Sequence, residues 1–310
     1  MNLHLNRSFV LLPKRNMIQG MDSFRVDGKA ALNLAGFPRR IDPLYKDKKD
    51  YKKQLGRITG EIDELQRMMY ANDHHSLLLV FQAMDAAGKD STIRNVLSGV
   101  NPQGVTVHSF KRPSEEEIDH DFLWRSMKCL PRRGQVSVFN RSYYEEVLVV
   151  KVHPEIFTRY QRVPEEHHEH VWEGRYASIR DHEAHLVRNG TRVLKFFLNV
   201  SKEEQLARFV SRIDETEKNW KFNEGDVKER KFWDQYQVAY EEAINATATP
   251  EAPWFVIPAD SKKNMRLMIA GVIRDEMKSM GLSYPEVSDE RRAELKAVRA
   301  TLVASDEGGA

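Results

Sequence analysis

The stretch SLLLVFQAMDAAGKDSTIRN, residues 76–95, decides how the whole chain is read. It opens with an unbroken apolar run, Leu77-Leu78-Leu79-Val80-Phe81. A run of that length, bounded by turn signals, suits a strand buried on both faces, as in a parallel sheet. Small residues follow (Ala83, Ala86, Ala87 and Gly88), then Lys89 and a series of helix formers with Gly99 as a stop. Strand, small-residue loop, lysine and helix, in that order, make the setting of a phosphate-binding loop. The backbone at Ala86, Ala87 and Gly88, and the helix start at Asp90, Ser91 and Thr92, would present partial positive charge to a phosphate. Lys89 would add a full charge.

The strict pattern G-x-x-x-x-G-K-[ST] fails at two positions. Ala83 replaces the first glycine, and Asp90 follows the lysine. Alone, these residues also fit an ordinary strand-to-helix turn that carries a lysine. Asp85 sharpens the reading, because a carboxylate inside such a loop repels phosphate unless a metal ion lies between them.

Outward from the loop, strand candidates recur at residues 104–110, 135–140, 191–200 and 254–258, separated by helical patterns. This alternation predicts an α/β fold with a five-stranded parallel sheet between helices. Residues 1–40 show no sustained period and read as a loosely ordered arm without signal-peptide chemistry. Asp42-Pro43 predicts a helix start. Ser114 and Glu117 form a capping box that predicts one helix through Cys129. Residues 164–189 read as one long helix holding His167/His170 and His182/His185, a spacing that suits metal ligands or, in such Glu-rich surroundings, a solvated face.

The third strand candidate ends in Asn140-Arg141-Ser142-Tyr143-Tyr144-Glu145-Glu146. Phosphate-loop folds place an acidic magnesium ligand near here. Asn140 is neutral, which leaves Asp85, Glu145 or Glu146 as the carboxylate. Arg141 lies where ligands bind in such sheets and would grip a phosphate bidentately, or pair with a neighbouring glutamate. Residues 214–234 are dense in charge and hold Trp220 and Trp233; they read as a lid or as a plain helical hairpin. Arg208, Arg212 and Lys221 are the basic residues there whose facing would matter.

The chain's 310 residues suffice for one large α/β domain or two smaller ones. A net charge of +2 with 30% charged residues argues against a general nucleic-acid binder. Cys129 is the only cysteine, so there is no disulfide framework and a reducing cytoplasm fits. No apolar run approaches the roughly 20 residues of a membrane span.

Four blocks, MDAAGKDSTI, GVNPQGVTVHSFKRPSEEEIDHDFLWR, FNRSYYEEVLV and NWKFNEGDVKERKFWDQY, resemble the polyphosphate kinase 2 family in the right order, over about residues 40–280. The resemblance implies a thymidylate-kinase-like P-loop fold with a helical lid at about residues 205–235. It implies a catalytic domain at residues 41–280, between the arm and a helical tail at residues 281–310. The implied activity is Mg²⁺-dependent, reversible phosphoryl transfer between inorganic polyphosphate and AMP or ADP. The implied partners are adenine or guanine nucleotides and further copies of the chain in a dimer or tetramer, with no nucleic acid or membrane. Asp85 matches the family's magnesium-binding loop carboxylate, Lys89 its loop lysine, Arg141 the arginine of its second motif and Glu145 the carboxylate after it. Arg208, Arg212 and Lys221 match lid positions that hold phosphates. Ala83 and Asn140, where most members carry Gly and Asp, resemble the branch that phosphorylates AMP, ADP or both. Two rivals stand beside this reading: an ATP-dependent nucleotide kinase of the same fold, and a non-catalytic P-loop binding module.

Overall fold

The computed structural model describes residues 21–307, with the side chains of Lys221, Ser305 and Glu307 outside that description. The elements in order are β1 (Arg25–Val26), α1 (Lys48–Asn72), β2 (Ser76–Ala83), α2 (Lys89–Val96), β3 (Val105–Ser109), α3 (Glu115–Asp119), α4 (Trp124–Met127) and β4 (Val136–Asn140). They continue with α5 (Val149–Val152), α6 (Val171–Arg188), β5 (Thr191–Asn199), α7 (Lys202–Asp214), α8 (Glu224–Glu229), α9 (Trp233–Thr247), β6 (Trp254–Pro258), α10 (Lys262–Ser279) and α11 (Asp289–Glu307).

The apolar run forms β2, and every residue of that strand is buried. β2 lies inside a sheet of order β1-β6-β5-β2-β4-β3, with Leu79 paired to Val138 of β4 on one side and to Leu194 of β5 on the other. α1 and α2 both pack against α10, while α6 packs on β5 and against α9. With both neighbours hydrogen-bonded and helices packed over the sheet, residues 77–81 are buried on both faces, which is why that run does not alternate.

The described sheet has six strands, not the expected five. The extra one, β1, runs antiparallel to β6 with Arg25 opposite Phe255. Two residues are too few to carry an alternating pattern, so the sequence gives no strand signal there. The chain that follows is strapped to α9. The backbone N–H of Leu32 donates to Asn245 Oδ1 at 2.7 Å, that of Leu34 donates to Glu241 Oε2 at 2.7 Å, and both leucines are buried.

Three helix boundaries also differ. The N-cap of α1 lies five residues after Asp42, at Asp47, whose Oδ1 accepts from the backbone N–H groups of Lys49 and Asp50. The stretch before it is held non-helical by buried Asn264, whose Nδ2 donates to the carbonyls of Ile41 and Asp42 and whose Oδ1 accepts from Leu44 N. The Ser114–Glu117 capping box is present, but its helix is the short α3, and α4 resumes after a break. Residues 164–189 split into a 3₁₀ turn, Glu165–His167, and α6. No helix among the described residues is long and apolar enough to cross a membrane.

Candidate active site

β2 ends at Ala83 and its chain turns sharply into α2. Ala86 has φ +58° and Gly88 φ +103°. At Gly88 the nearest heavy atom to an added Cβ would be 3.6 Å away, so backbone conformation rather than space calls for glycine. Gly88 is the N-cap of α2, and the first N–H groups of that helix lack intrahelical carbonyls. Lys89 folds beneath the loop, where Nζ donates to Ala83 O at 2.8 Å. Its side chain is buried, and this burial, followed by Arg141, pushes its pKa down, while Asp85, Glu145 and Asp90 pull it up. One ammonium beneath the loop is therefore acted on by three carboxylates.

The end of β4 supplies the opposing groups. Arg141 N donates to Phe81 O at 3.0 Å, and its φ is +64°, a conformation uncommon for a residue with a side chain. The bend lets Arg141 Nη2 donate to Asp85 Oδ1 at 2.9 Å. Glu145 and then Asp85 hold the guanidinium pKa above its ordinary value. Glu145 sits in the 3₁₀ turn Tyr143–Val147, opened by Ser142 Oγ accepting from Tyr144 N. The Gln82 amide, oriented by its neighbours, donates to Glu145 Oε1 at 2.9 Å and accepts from Ser142 N at 3.1 Å. Burial pushes the Glu145 carboxyl up, and Arg141 and Lys89 pull it down.

Asp85, Lys89, Arg141 and Glu145 thus converge. So do Asp90 and Asn140, two of the departures from the usual motifs. Asn140 Nδ2 donates to Asp90 Oδ1 at 2.7 Å, so the carboxylate missing from the strand end is present on the facing helix. Ser91 Oγ donates to Gly88 O at 3.0 Å, and fully buried Thr92 faces Met265 Sδ.

The lid residues are placed differently from one another. Arg208 reaches under the loop instead of over it. Its Nη1 donates to the carbonyls of Ala86 (3.2 Å) and Ala87 (2.5 Å), its Nη2 to Ala259 O (2.6 Å), and its Nε to Glu204. Burial pushes its pKa down. With its N–H groups so engaged, Arg208 is a brace for the loop. The Arg208→Ala variant is expected to lose about 1.5–3 kcal/mol of stability in denaturant unfolding, the scale of hydrogen bonds to a charged group. Its turnover should fall with every substrate alike, because the loop itself shifts. Arg212 instead reaches α8, where its Nη1 lies 3.5 Å from Asp226 Oδ2. Burial and then Asp85 push the Asp226 carboxyl up. The side chain of Lys221 lies outside the described residues.

Sequence reading missed Gln205 and Asp226. Gln205 is buried and its Nε2 donates to Asp85 O at 3.0 Å. The available signal was Gln205, Arg208 and Phe209 at i, i+3 and i+4, a polar pair on what should be the apolar face of α7. Asp226 carried no signal, being one acid among many in residues 214–234.

The donor set suits magnesium. Mg²⁺ keeps several waters and takes one or two carboxylates plus substrate phosphates, not an all-protein cage. Asp85 with Glu145 or Asp90 offers that set, and no group of three or more His, Cys, Asp or Glu among the described residues offers a cage. Of the histidine pairs, His182 is buried with its ring edge-on to Tyr143 at 5.6 Å.

The family model described as Polyphosphate kinase 2 (PPK2) matches residues 45–284. An ADP-polyphosphate phosphotransferase of Rhodopseudomonas palustris is 50% identical over 282 residues, covering 90% of this chain and 97% of the relative. An AMP/ADP-polyphosphate phosphotransferase of Meiothermus ruber is 41% identical over 267 residues, covering 86% and 96%. The crystal structure of polyphosphate kinase 2 from Arthrobacter aurescens TC1 superposes with a TM-score of 0.81 at 37% identity, covering 90% of this chain and 96% of that one. With the family model matched over residues 45–284, these relatives covered along nearly their whole length and the fold shared with a solved member, the chain belongs to the polyphosphate kinase 2 family.

Proposed function

We propose that the protein catalyses reversible phosphoryl transfer between inorganic polyphosphate and AMP or ADP, with Mg²⁺ held by Asp85. The observation that carries this reading is the convergence of Asp85, Lys89, Arg141 and Glu145 at one loop. The names of the relatives from Rhodopseudomonas palustris and Meiothermus ruber supply the substrates. The free Cys129 fits a reducing cytoplasm.

Topology supports two substrate sides. On the flank of β2 that holds β4 and β3, the segments after those strands enclose a cavity of about 630 Å³ that includes Phe122, Arg125, Glu146 and Arg175. Its volume is in the range of small-molecule sites, and its aromatic and guanidinium groups suit a nucleoside. On the other flank, in the segments after β5 and β6, lie Lys218, Lys262 and Arg266. Burial, and then the positive charges of Arg208, Lys218 and Arg266, push the Lys262 pKa down. Lysine and arginine side chains there would meet a chain of phosphates better than a nucleobase.

The two substrates would meet end to end at the loop. Their terminal phosphates would be drawn together by Lys89, Arg141 and the α2 N-terminus, and transfer would be in line. In the structure Arg141 and Asp85 neutralise each other. Bound phosphate would take Arg141, freeing Asp85 for the metal. Bound at Asp85, Mg²⁺ would neutralise charge on the bridging phosphate oxygens. A lid carrying Arg212 and Asp226 would exclude water, favouring transfer over hydrolysis. Phosphate acceptors are already ionised, so no general base is required.

The test is a discontinuous assay with Mg²⁺, long-chain polyphosphate and either AMP or ADP, with nucleotides separated by chromatography. ADP or ATP forming only when polyphosphate is present is the expected result, and the tube that reacts identifies the acceptor. Phosphorylation by ATP with none by polyphosphate would favour an ordinary nucleotide kinase.

A further inference from the structure

Behind the Arg141–Glu145 turn lies a charged network that takes no part in the chemistry above. Lys195 of β5 is fully buried between its strand partners Val80 and Trp254. Its Nζ donates to Glu183 Oε2 of α6 (2.5 Å), to Thr247 O of α9 (2.8 Å) and to Tyr144 Oη (3.2 Å). Glu183 is 1% exposed, and its Oε1 accepts from the hydroxyls of both Tyr143 (2.9 Å) and Tyr144 (2.8 Å). The three protons of the ammonium each have an acceptor, and each carboxylate oxygen has a donor.

A buried ion pair is seldom the most stable filling for a core, since apolar residues of the same volume often do as well or better. Its saturated geometry is a source of precision instead. Here that precision is delivered to one place. The two hydroxyls it holds belong to the residues between Arg141, whose φ is positive, and Glu145. Three elements, β5, α6 and α9, are thereby tied to the five-residue piece of chain that aims the guanidinium at Asp85. We infer that Glu183 and Lys195 are positioning residues for phosphoryl transfer, acting through the hydroxyls of Tyr143 and Tyr144 to fix the direction of Arg141. The inference rests on the proposed reaction, but not on which nucleotide accepts.

The experiment compares two double variants, each made in the unmutated protein and in an Arg141→Lys background. Tyr143→Phe with Tyr144→Phe removes both hydroxyls and keeps the rings and the ion pair. Glu183→Gln with Lys195→Met removes both charges together. Turnover number, KM for each substrate and melting temperature are measured for folded protein. In the unmutated background, both pairs are expected to lower kcat by about 10- to 100-fold, the scale of a misplaced catalytic group, with KM changed less than about twofold. In the Arg141→Lys background the same changes should cost less than about twofold, because the group being aimed has already been altered. Equal fold-losses in the two backgrounds, or a lowered melting temperature with unchanged kcat, would overturn the inference. Should the ion-pair variant not fold, the tyrosine variant still decides the matter, since it leaves the charges in place. An unmutated protein with no polyphosphate-dependent activity would instead sink the functional reading itself.

Discussion

Lys89→Ala is expected to lower turnover by at least about 10²-fold in protein that remains folded, the scale of losing one preorganised charge contact in a transition state. The lysine does two things that alanine cannot. It ties the end of β2 to the loop through Ala83 O, and it is the cation set among Asp85, Glu145 and Asp90. Without it the loop mouth holds three carboxylates against Arg141 alone, and an incoming phosphate meets net repulsion. Lys89→Arg should fail to restore the rate, because a planar guanidinium cannot take the place of a compact ammonium buried beneath the loop. Rates from single-turnover assays, with circular dichroism to confirm the fold, decide the point. A near-normal rate in folded Lys89→Ala protein would remove the loop from the active site.

What could be read in advance, and what could not, follows from the range of the interactions. β2 and its loop were legible because they are set locally, by an apolar run, small residues and a lysine in fixed order. Asp85, Lys89 and Arg141 stood out because a strand's C-terminal end is a place that topology marks, whereas Glu145 was separated from Glu146 only by the family resemblance. β1 was missed because two residues carry no period. The role of Arg208 was missed for a different reason. A sequence shows that an arginine lies in a helix, but not that its N–H groups are already bound to the carbonyls of Ala86, Ala87 and Ala259. The Asn140–Asp90 bond shows the same limit from the other side. Each residue looked like a lapse from its own motif. Only the parallel pairing of β2 with β4, which brings the two motif ends side by side, shows that a carboxylate and its neutral partner sit across from the usual arrangement.

Asp85→Asn is the second large effect, and it separates charge from shape. Asparagine has the size of aspartate, and its Oδ1 can still accept from Arg141, so the geometry of the pair survives. What disappears is the negative charge. Asp85 raises the pKa of both Glu145 and Asp226, which means that it repels them in the folded protein. Removing it relieves that repulsion, while Glu145, the larger influence on Arg141, remains to balance the arginine. Stability in denaturant unfolding is therefore expected to hold or rise slightly, as it often does when a functional charge is removed from a crowded site. Turnover should nevertheless fall by at least about 10²-fold, since a metal between two phosphate chains loses its protein anchor. The rate should also need a higher Mg²⁺ concentration to reach half of its own maximum, whereas Lys89→Ala should leave that concentration nearly unchanged. Titrating Mg²⁺ against rate for both variants checks the assignment. If the Mg²⁺ requirement moves with Lys89→Ala and stays put with Asp85→Asn, the anchor lies elsewhere in the carboxylate cluster, and Asp90, held by Asn140 at the facing helix start, becomes the residue to replace next.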